Sequence, residues 1–281
     1  MRAPPPERPA GPALLALVAL FLVGFVAIYV AALSAGPGAR VDEDALQAQA
    51  AQQFGVPDPL SDLLATISVS SLMLVALGGV ALSLWRRRTD IAVAILVLLV
   101  GANVSTQILK ELLVSMEPLA VESDRPIPGA FPSGHSTAAA SVALAVVMAV
   151  GPQLRRTAAT FAVLYAVGVG IATVALGWHY PSDVLGGYMV AGAWAAAVGG
   201  VVGLRSGGPW VASTRGFSVP IGVALGVVAM AAVVVWVGSP VNAASFVDDN
   251  TSFVVGSTLI FCAGAMVIAA VGTQLDGRRD L

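Results

Sequence analysis

The chain has 281 residues, of which 57% are hydrophobic and 11% are charged, and its mean hydropathy is +0.87. Soluble domains carry about 25% charged residues, so this balance disfavours a soluble protein and indicates an integral membrane protein. The net charge of −2 comes without a basic tail, which argues against a nucleic-acid partner. The single cysteine, Cys262, excludes a disulfide framework within one chain and a thiolate metal site.

Apolar segments long enough to cross a bilayer recur along the whole chain. A transmembrane helix needs about 20 apolar residues. Eight segments reach or approach that length: 13–34, 63–85, 91–113, 136–151, 157–178, 184–204, 217–238 and 253–274. We therefore predict an all-α, polytopic membrane bundle with eight spans. The first run is longer than the apolar core of about 7–15 residues in a signal peptide, so a retained helix is expected, with a leader cleaved near "ALSAG" as the alternative.

The arginines predict the orientation of these spans, because Lys and Arg concentrate in cytoplasmic loops. With eight spans, one side of the membrane receives eleven of them: Arg2, Arg8, Arg86, Arg87, Arg88, Arg155, Arg156, Arg205, Arg215, Arg278 and Arg279. We expect that side, with both termini, to be cytoplasmic. The Ala-, Val-, Gly- and Arg-rich usage is typical of a GC-rich bacterial genome, so the expected location is the bacterial plasma membrane.

The longest predicted segment outside the membrane is residues 35–62. Within it, "DEDALQAQAAQQF" is expected to form a short surface helix. We interpret Asp42, Glu43 and Asp44 as the solvated start of that helix rather than as a metal site.

The predicted topology brings three distant polar segments to the outer face. Lys110 ends the third span, "FPSGHSTA" with His135 opens the fourth, and "GWHYPSDVLGG" with His179 and Asp183 lies between the fifth and sixth. Polar residues recur at helical spacing along the third span: Asn103, Thr106 or Gln107, and Lys110. They form a polar stripe that leads to the lysine. Because ionisable groups at membrane depth usually face a bundle interior or cavity, we predict one shared site.

The residue types in this predicted site suit phosphoryl transfer. Asp183 follows His179 by four residues, so its carboxylate can bind one ring nitrogen and leave the other free as a nucleophile. A helix that begins at "PSGH" offers free backbone amides to an anion, and Gly134 permits close approach. Lys110 and Arg125 add positive charge. Positioning and charge stabilisation are what phosphoryl transfer requires.

This arrangement resembles the type 2 phosphatidic acid phosphatase family. The family motifs are Lys-x6-Arg-Pro, Pro-Ser-Gly-His and Ser-Arg-x5-His-x3-Asp, and their counterparts here are "KELLVSMEP", "PSGH" and "ATVALGWHYPSD". The resemblance covers about residues 60–205, and the family core has six helices. It implies a cytoplasmic tail (1–12), a six-helix phosphatase-like core (13–204) that includes the outer loop, and two additional helices with a short tail (205–281).

The resemblance also implies roles for residues at the matching positions. His179 would attack phosphorus and form a phosphohistidine, Asp183 would orient it, and His135 would protonate the leaving oxygen. Lys110 would bind phosphate oxygens, as would the amides around Ser133 and Gly134, with Ser133 also able to cap its helix. Family members use no metal ion and no other cofactor.

Two motif arginines are missing from the sequence. Glu117 and Thr173 stand at their positions. Each charge-assisted contact contributes about 1.5–3 kcal/mol, so two uncompensated losses would weaken phosphate binding by about 10² or more. Arg125 is the candidate substitute; its alternative is a loop ion pair with Glu122 or Asp124. Thr173 offers a hydroxyl, and Gln107 and Glu117 are possible secondary site residues.

The expected function is hydrolysis of a phosphate monoester or pyrophosphate on a membrane lipid, either a polyprenyl phosphate or diphosphate or a phosphatidate-like lipid. Two alternatives remain open at this point. A lipid-linked phosphotransferase would use the same residues, and a degenerate, non-catalytic lipid-binding or transport protein would explain the missing arginines. The sequence predicts nothing about the oligomeric state.

Overall fold

The computed structural model describes residues 10–33, 37–47, 69–116, 130–205 and 251–276. Within these ranges the chain forms eight helices and no strand, which confirms the all-α prediction. The helices are α1 (Ala10–Leu33), α2 (Pro37–Gln47), α3 (Val69–Trp85), α4 (Thr89–Met116), α5 (Gly134–Ala149), α6 (Pro152–Ala175), α7 (Pro181–Arg205) and α8 (Thr251–Asp276).

Seven of the eight predicted spans fall on described helices, and the remaining one, 217–238, lies outside the described residues. Five helices are long and apolar enough to cross a membrane: α1, α4, α6, α7 and α8. The other two, α3 and α5, are apolar but shorter, with 17 and 16 residues. Helix α5 begins at Gly134, so the short fourth span does include part of the "PSGH" turn. The protein is therefore a polytopic helical membrane protein.

Helix α7 lies at the centre of the described bundle and packs against α1, α4, α5 and α8. Small residues make this close packing possible. A Cβ at Gly192 would lie 3.0 Å from a methyl of Val267 on α8, and a Cβ at Gly170 of α6 would lie 2.5 Å from the Tyr188 hydroxyl on α7. In membranes, where hydrophobicity does not drive helices together, such small residues increase van der Waals contact between them.

The bundle has two chemically distinct ends. The histidine end contains the N-termini of α5, α7 and α8, together with both histidines. The arginine end contains Arg86, which follows α3, and Arg155, in the first turn of α6. Arg86 donates to the carbonyl of Ala149, the last residue of α5, over 3.0 Å. Polar groups thus concentrate at the two ends of an otherwise apolar bundle.

Helix α2 lies at the histidine end, in contact with α1, α7 and α8. It confirms the expected short surface helix, although it begins earlier than the predicted segment. Glu43 and Asp44 are exposed, as expected. Asp42 is only 3% exposed, so its predicted place at a solvated helix start is wrong. The reason is tertiary: the Asp42 carboxylate accepts two hydrogen bonds from Ser182 at the start of α7.

Candidate active site

The turn that begins α5 is organised by Ser133. Its hydroxyl caps the helix by accepting from the backbone N–H of Ser136 over 3.2 Å, and its carbonyl accepts from the N–H of Thr137. The Ser133 side chain is fully buried. The first amides of a helix have no intrahelical acceptor, so those of Gly134 and His135 are the ones this cap leaves for an anion.

The connection between α6 and α7 places His179. It turns at Gly177, whose φ of 68° lies in the left-handed region that favours glycine. The carbonyl of Thr173 then accepts from the N–H groups of Trp178, over 3.0 Å, and His179, over 3.3 Å. These two bonds fold the connection back onto the last turn of α6, and they leave His179 largely buried.

Asp183, in the first turn of α7, contacts both the backbone and the His179 ring. One carboxylate oxygen, Oδ2, accepts from the N–H of Tyr180 over 2.8 Å and lies 3.4 Å from Nδ1 of His179. The carboxylate is fully buried. The same oxygen therefore caps the start of α7 and lies beside the His179 ring. A contact of 3.4 Å is longer than a strong hydrogen bond, and catalytic contacts often shorten when substrate binds.

The two histidine segments are joined directly by their backbones. The N–H of Ser133 donates to the carbonyl of Asp183 over 2.8 Å. Gly187, one turn further along α7, lies so close to the α5 turn that a Cβ there would be 2.8 Å from the Ser133 carbonyl oxygen. As a result, the His135 and His179 ring centroids are 6.1 Å apart, at an angle of 62°.

The polar stripe of α4 faces α5, with each residue next to a different α5 group. The Thr106 hydroxyl lies 3.1 Å from that of Thr137, and the Asn103 amide donates to the Ser141 hydroxyl over 3.3 Å. The amide nitrogen of Gln107 lies 3.7 Å from where a Cβ would be at Gly134. Both Thr106 and Gln107, the two options at this point of the stripe, therefore lie near the turn that begins α5.

Lys110 completes the stripe at the histidine end. It is half-buried, and its ammonium group is close enough to interact electrostatically with Asp183 and with His135. A cation near a carboxylate and an imidazole gives the site a group that can stabilise a bound anion.

Of the predicted secondary or substitute residues Thr173, Glu117 and Arg125, only Thr173 lies in the described part of the chain. The Thr173 hydroxyl is buried and donates to the carbonyl of Gly170 over 2.8 Å. Glu117 and Arg125 lie outside the described residues, so their predicted roles stay predictions. Among the described site residues, Lys110 is the one lysine or arginine near the two histidines.

The site is open beside His135. That residue is half-buried, and its ring lies 5.6 Å from the ring of Trp178, which is 40% exposed. Among the described residues of the site, His135 and Trp178 are therefore more accessible than His179, which is 7% exposed. The arrangement can hold an anion between two imidazoles and supply a base, an acid and a cation to it.

Three contributors were missed in the sequence. Asp42 was interpreted as solvated, while Gly187 and Thr137 were assigned no role. For Gly187 a signal was present, since the paired glycines in "DVLGG" follow Asp183 by three residues on a helix. For Asp42 there was none, because its partner is 140 residues away.

The chain was compared with known protein families. Residues 91–205 match the family model described as the PAP2 superfamily. That range contains Lys110, "PSGH" and "GWHYPSD", which are the segments the fold assembles at the histidine end. Comparisons with curated proteins and with solved structures gave no match.

Proposed function

We propose that this chain, whose residues 91–205 match the PAP2 superfamily model, is a membrane phosphatase that hydrolyses a phosphate monoester or pyrophosphate of a lipid. The superfamily match supports phosphatase activity on phosphate esters. The observation that carries the proposal is the approach of the His135 and His179 rings to 6.1 Å, next to Lys110. A polyprenyl phosphate or diphosphate and a phosphatidate-like lipid both fit this chemistry.

The separation of the rings suits an in-line displacement. A nucleophile in near-attack geometry lies about 3–3.5 Å from the atom it attacks. A general acid lies about 2.6–3.2 Å from the atom it protonates. Two imidazoles on opposite sides of one phosphoryl group are also separated by the bond of about 1.6 Å between phosphorus and the leaving oxygen, so their reacting nitrogens would lie about 7–8 Å apart. The ring centroids are 6.1 Å apart, and the reacting nitrogens lie at the edges of the rings, so the two rings are close enough to contact one phosphoryl group.

In the first proposed step, His179 is the nucleophile. Asp183 interacts with Nδ1, so the lone pair of Nε2 attacks phosphorus. A nitrogen–phosphorus bond forms while the bond between phosphorus and the leaving oxygen breaks. His135, as an imidazolium, gives its proton to that oxygen. The lipid alcohol, or a lipid monophosphate if the substrate is a diphosphate, departs and leaves phosphohistidine at position 179.

In the second step, water resolves the phosphohistidine. The neutral His135 imidazole takes a proton from water as its oxygen attacks phosphorus. The nitrogen–phosphorus bond breaks, inorganic phosphate is released, and both histidines return to their starting forms. These steps use protein groups only, so we expect activity to persist in the presence of a chelator.

Phosphate oxygens would be held by Lys110 and by the amides of the α5 turn around Ser133 and Gly134. Arg125 is our proposed replacement for the missing motif arginines. Gln107, beside Gly134, is available as a neutral donor. We assign Glu117 and Thr173 no more than a secondary part.

The membrane setting supports a lipid substrate. A site at one end of a bundle of membrane-length helices can receive a lipid head group by lateral diffusion, without extracting the lipid. The eleven arginines predicted on one side favour a cytoplasmic location for the other end and for both termini. We therefore propose that the site lies on the extracytoplasmic side of a bacterial plasma membrane.

The two alternatives are separable by experiment. A phosphotransferase would pass the phosphoryl group from His179 to a hydroxyl other than water, so product analysis with added alcohols or sugars would find a phosphorylated acceptor. The alternative of a non-catalytic binding protein is supported by Glu117 and Thr173, which replace the two motif arginines. Binding alone, however, does not require one histidine beside a carboxylate and a second histidine facing it.

The decisive experiment measures phosphate release by the purified protein in detergent, with chelator present. The panel contains phosphatidate, a polyprenyl phosphate and a polyprenyl diphosphate. We expect wild-type turnover on at least one lipid and a loss of about 10³-fold or more in His179→Ala, since removing a nucleophile abolishes the covalent route. The matched control, Arg156→Ala, removes an exposed charge at the arginine end. Equal rates in wild type and His179→Ala would remove the nucleophile assignment, and no release by folded wild type would favour the binding protein.

A further inference from the structure

Helix α2 makes one buried polar contact with the α7 segment that follows the proposed nucleophile. Asp42 is 3% exposed, and Ser182 is also buried. One carboxylate oxygen of Asp42 accepts from the backbone N–H of Ser182 over 3.1 Å, and the other accepts from the Ser182 hydroxyl over 2.5 Å. Hydrogen bonds to a carboxylate are shorter and stronger than those between neutral groups. The two-point contact therefore fixes both the backbone and the side chain of Ser182.

Ser182 occupies a sensitive place in the chain. It is adjacent to Asp183, in the first turn of α7, and three residues after His179. The first amides of a helix lack intrahelical acceptors and carry the positive end of the helix dipole. Here two carboxylates satisfy them: Asp183 accepts from Tyr180, and Asp42 accepts from Ser182. One acceptor is local, and the other comes from a separate helix.

We infer that Asp42 is a positioning residue for the proposed reaction, acting through Ser182 to hold the Asp183 carboxylate against His179. This inference rests on the proposed function. Asp183 lies 3.4 Å from Nδ1 of His179, a distance that a small movement of the first turn of α7 would change. Misplacement of a catalytic group by about 1 Å can cost about 10²-fold in rate. Asp42 resists that movement from outside the helix.

The same helix offers a matched control. Asp44 lies two residues further along α2 and accepts from the Ser252 hydroxyl over 3.1 Å at the start of α8, in an exposed position. Both carboxylates therefore join α2 to a serine in the first turn of a neighbouring helix. Only the Asp42 contact is buried and reaches the segment that carries His179 and Asp183. A general role in docking α2 predicts similar effects of both substitutions, whereas positioning predicts an effect of Asp42 alone.

The test compares Asp42→Ala, Asp42→Asn and Asp44→Ala on the lipid that wild type hydrolyses. We expect Asp42→Ala to lower kcat by about 10- to 100-fold while KM changes by less than about threefold, because Lys110 and the α5 amides are untouched. Asp42→Asn keeps an acceptor for the Ser182 amide and should recover most of the lost kcat. Asp44→Ala should retain wild-type kcat.

A second measurement does not depend on activity. Hydrogen–deuterium exchange over residues 176–184 should accelerate in Asp42→Ala and stay at the wild-type rate in Asp44→Ala. Unchanged exchange in Asp42→Ala, or faster exchange with unchanged kcat, would overturn the positioning role. Equal loss of kcat in Asp42→Ala and Asp44→Ala would also overturn it, in favour of general docking. If wild type released no phosphate from any lipid, the proposed function would fail, and exchange would still test whether Asp42 holds the α7 turn.

Discussion

The two ends of α5 satisfy the same physical requirement in different ways. At the N-terminus, the cap comes from the adjacent residue, Ser133, whose hydroxyl accepts from Ser136. At the C-terminus, the acceptors are the carbonyls of Ala149 and Val150, and the donors are guanidinium groups of Arg86 and Arg155 from neighbouring segments. At each end, a side chain binds backbone groups that have no partner within the helix. An oxygen acceptor lies at the positive N-terminal end of the helix dipole, and cationic donors lie at the negative C-terminal end.

The two caps differ in which backbone groups of α5 they leave without a partner in the helix or cap. A single hydroxyl satisfies one amide at the N-terminus, so the first amides remain to bind an anion. Long cationic side chains cover the C-terminal carbonyls, and this end contains neither histidine. We propose that the histidine end binds and transforms the substrate, and that the arginine end stabilises the fold. We therefore predict that substitutions at the histidine end change kcat or KM, and that substitutions at the arginine end change the free energy of unfolding.

The largest expected effect after His179→Ala is that of Lys110→Ala. Losing a charge-assisted contact to phosphate costs about 1.5–3 kcal/mol, which corresponds to about 10- to 100-fold in kcat/KM. Lys110→Arg should recover part of this loss, since it restores the positive charge. Steady-state assays in detergent measure both. A kcat/KM for Lys110→Ala within about twofold of wild type would show that Lys110 only reaches towards the membrane interface.

The contact between α5 and α7 is tested by Gly187→Ala. The new Cβ would lie 2.8 Å from the Ser133 carbonyl oxygen, and backbone atoms cannot easily move away, so we expect destabilisation by about 1–3 kcal/mol. Because the α5 turn and α7 would separate, kcat should also fall. Gly199→Ala is the matched control on the same helix, where a Cβ meets nothing within 4 Å. Thermal unfolding in detergent compares the two, and equal melting temperatures would contradict the tight contact.

The smallest expected effect is that of Arg86→Ala at the arginine end. Removing its hydrogen bond to Ala149 should destabilise the protein by about 1 kcal/mol, with kcat and KM unchanged. Thermal unfolding and the lipid assay measure the two quantities on one sample. A clear loss of kcat with unchanged stability would break the proposed division between the two ends.

The span pattern was accessible from the sequence because the length of an apolar run is a local property. Seven predicted spans coincide with described helices to within a few residues, and the predicted start of the second span, residues 63–68, lies outside the described part of the chain. The family resemblance was equally accessible, because its motifs are short and contiguous. The predicted group of Lys110, His135, His179 and Asp183 is close together in the structure, as the topology implied.

What the sequence determined by itself was therefore the helices, the family resemblance and the residue types of the proposed site. Only the tertiary structure decided how these residues meet. The Asp42 contact to Ser182, the Gly187 packing against Ser133 and the 6.1 Å between the histidine rings each join segments distant in the chain. Such contacts depend on how helices pack, and helix packing is set by side-chain shape across many residues rather than by any local pattern. For that reason a carboxylate that the sequence indicated was solvated is buried against Ser182, three residues after the proposed nucleophile.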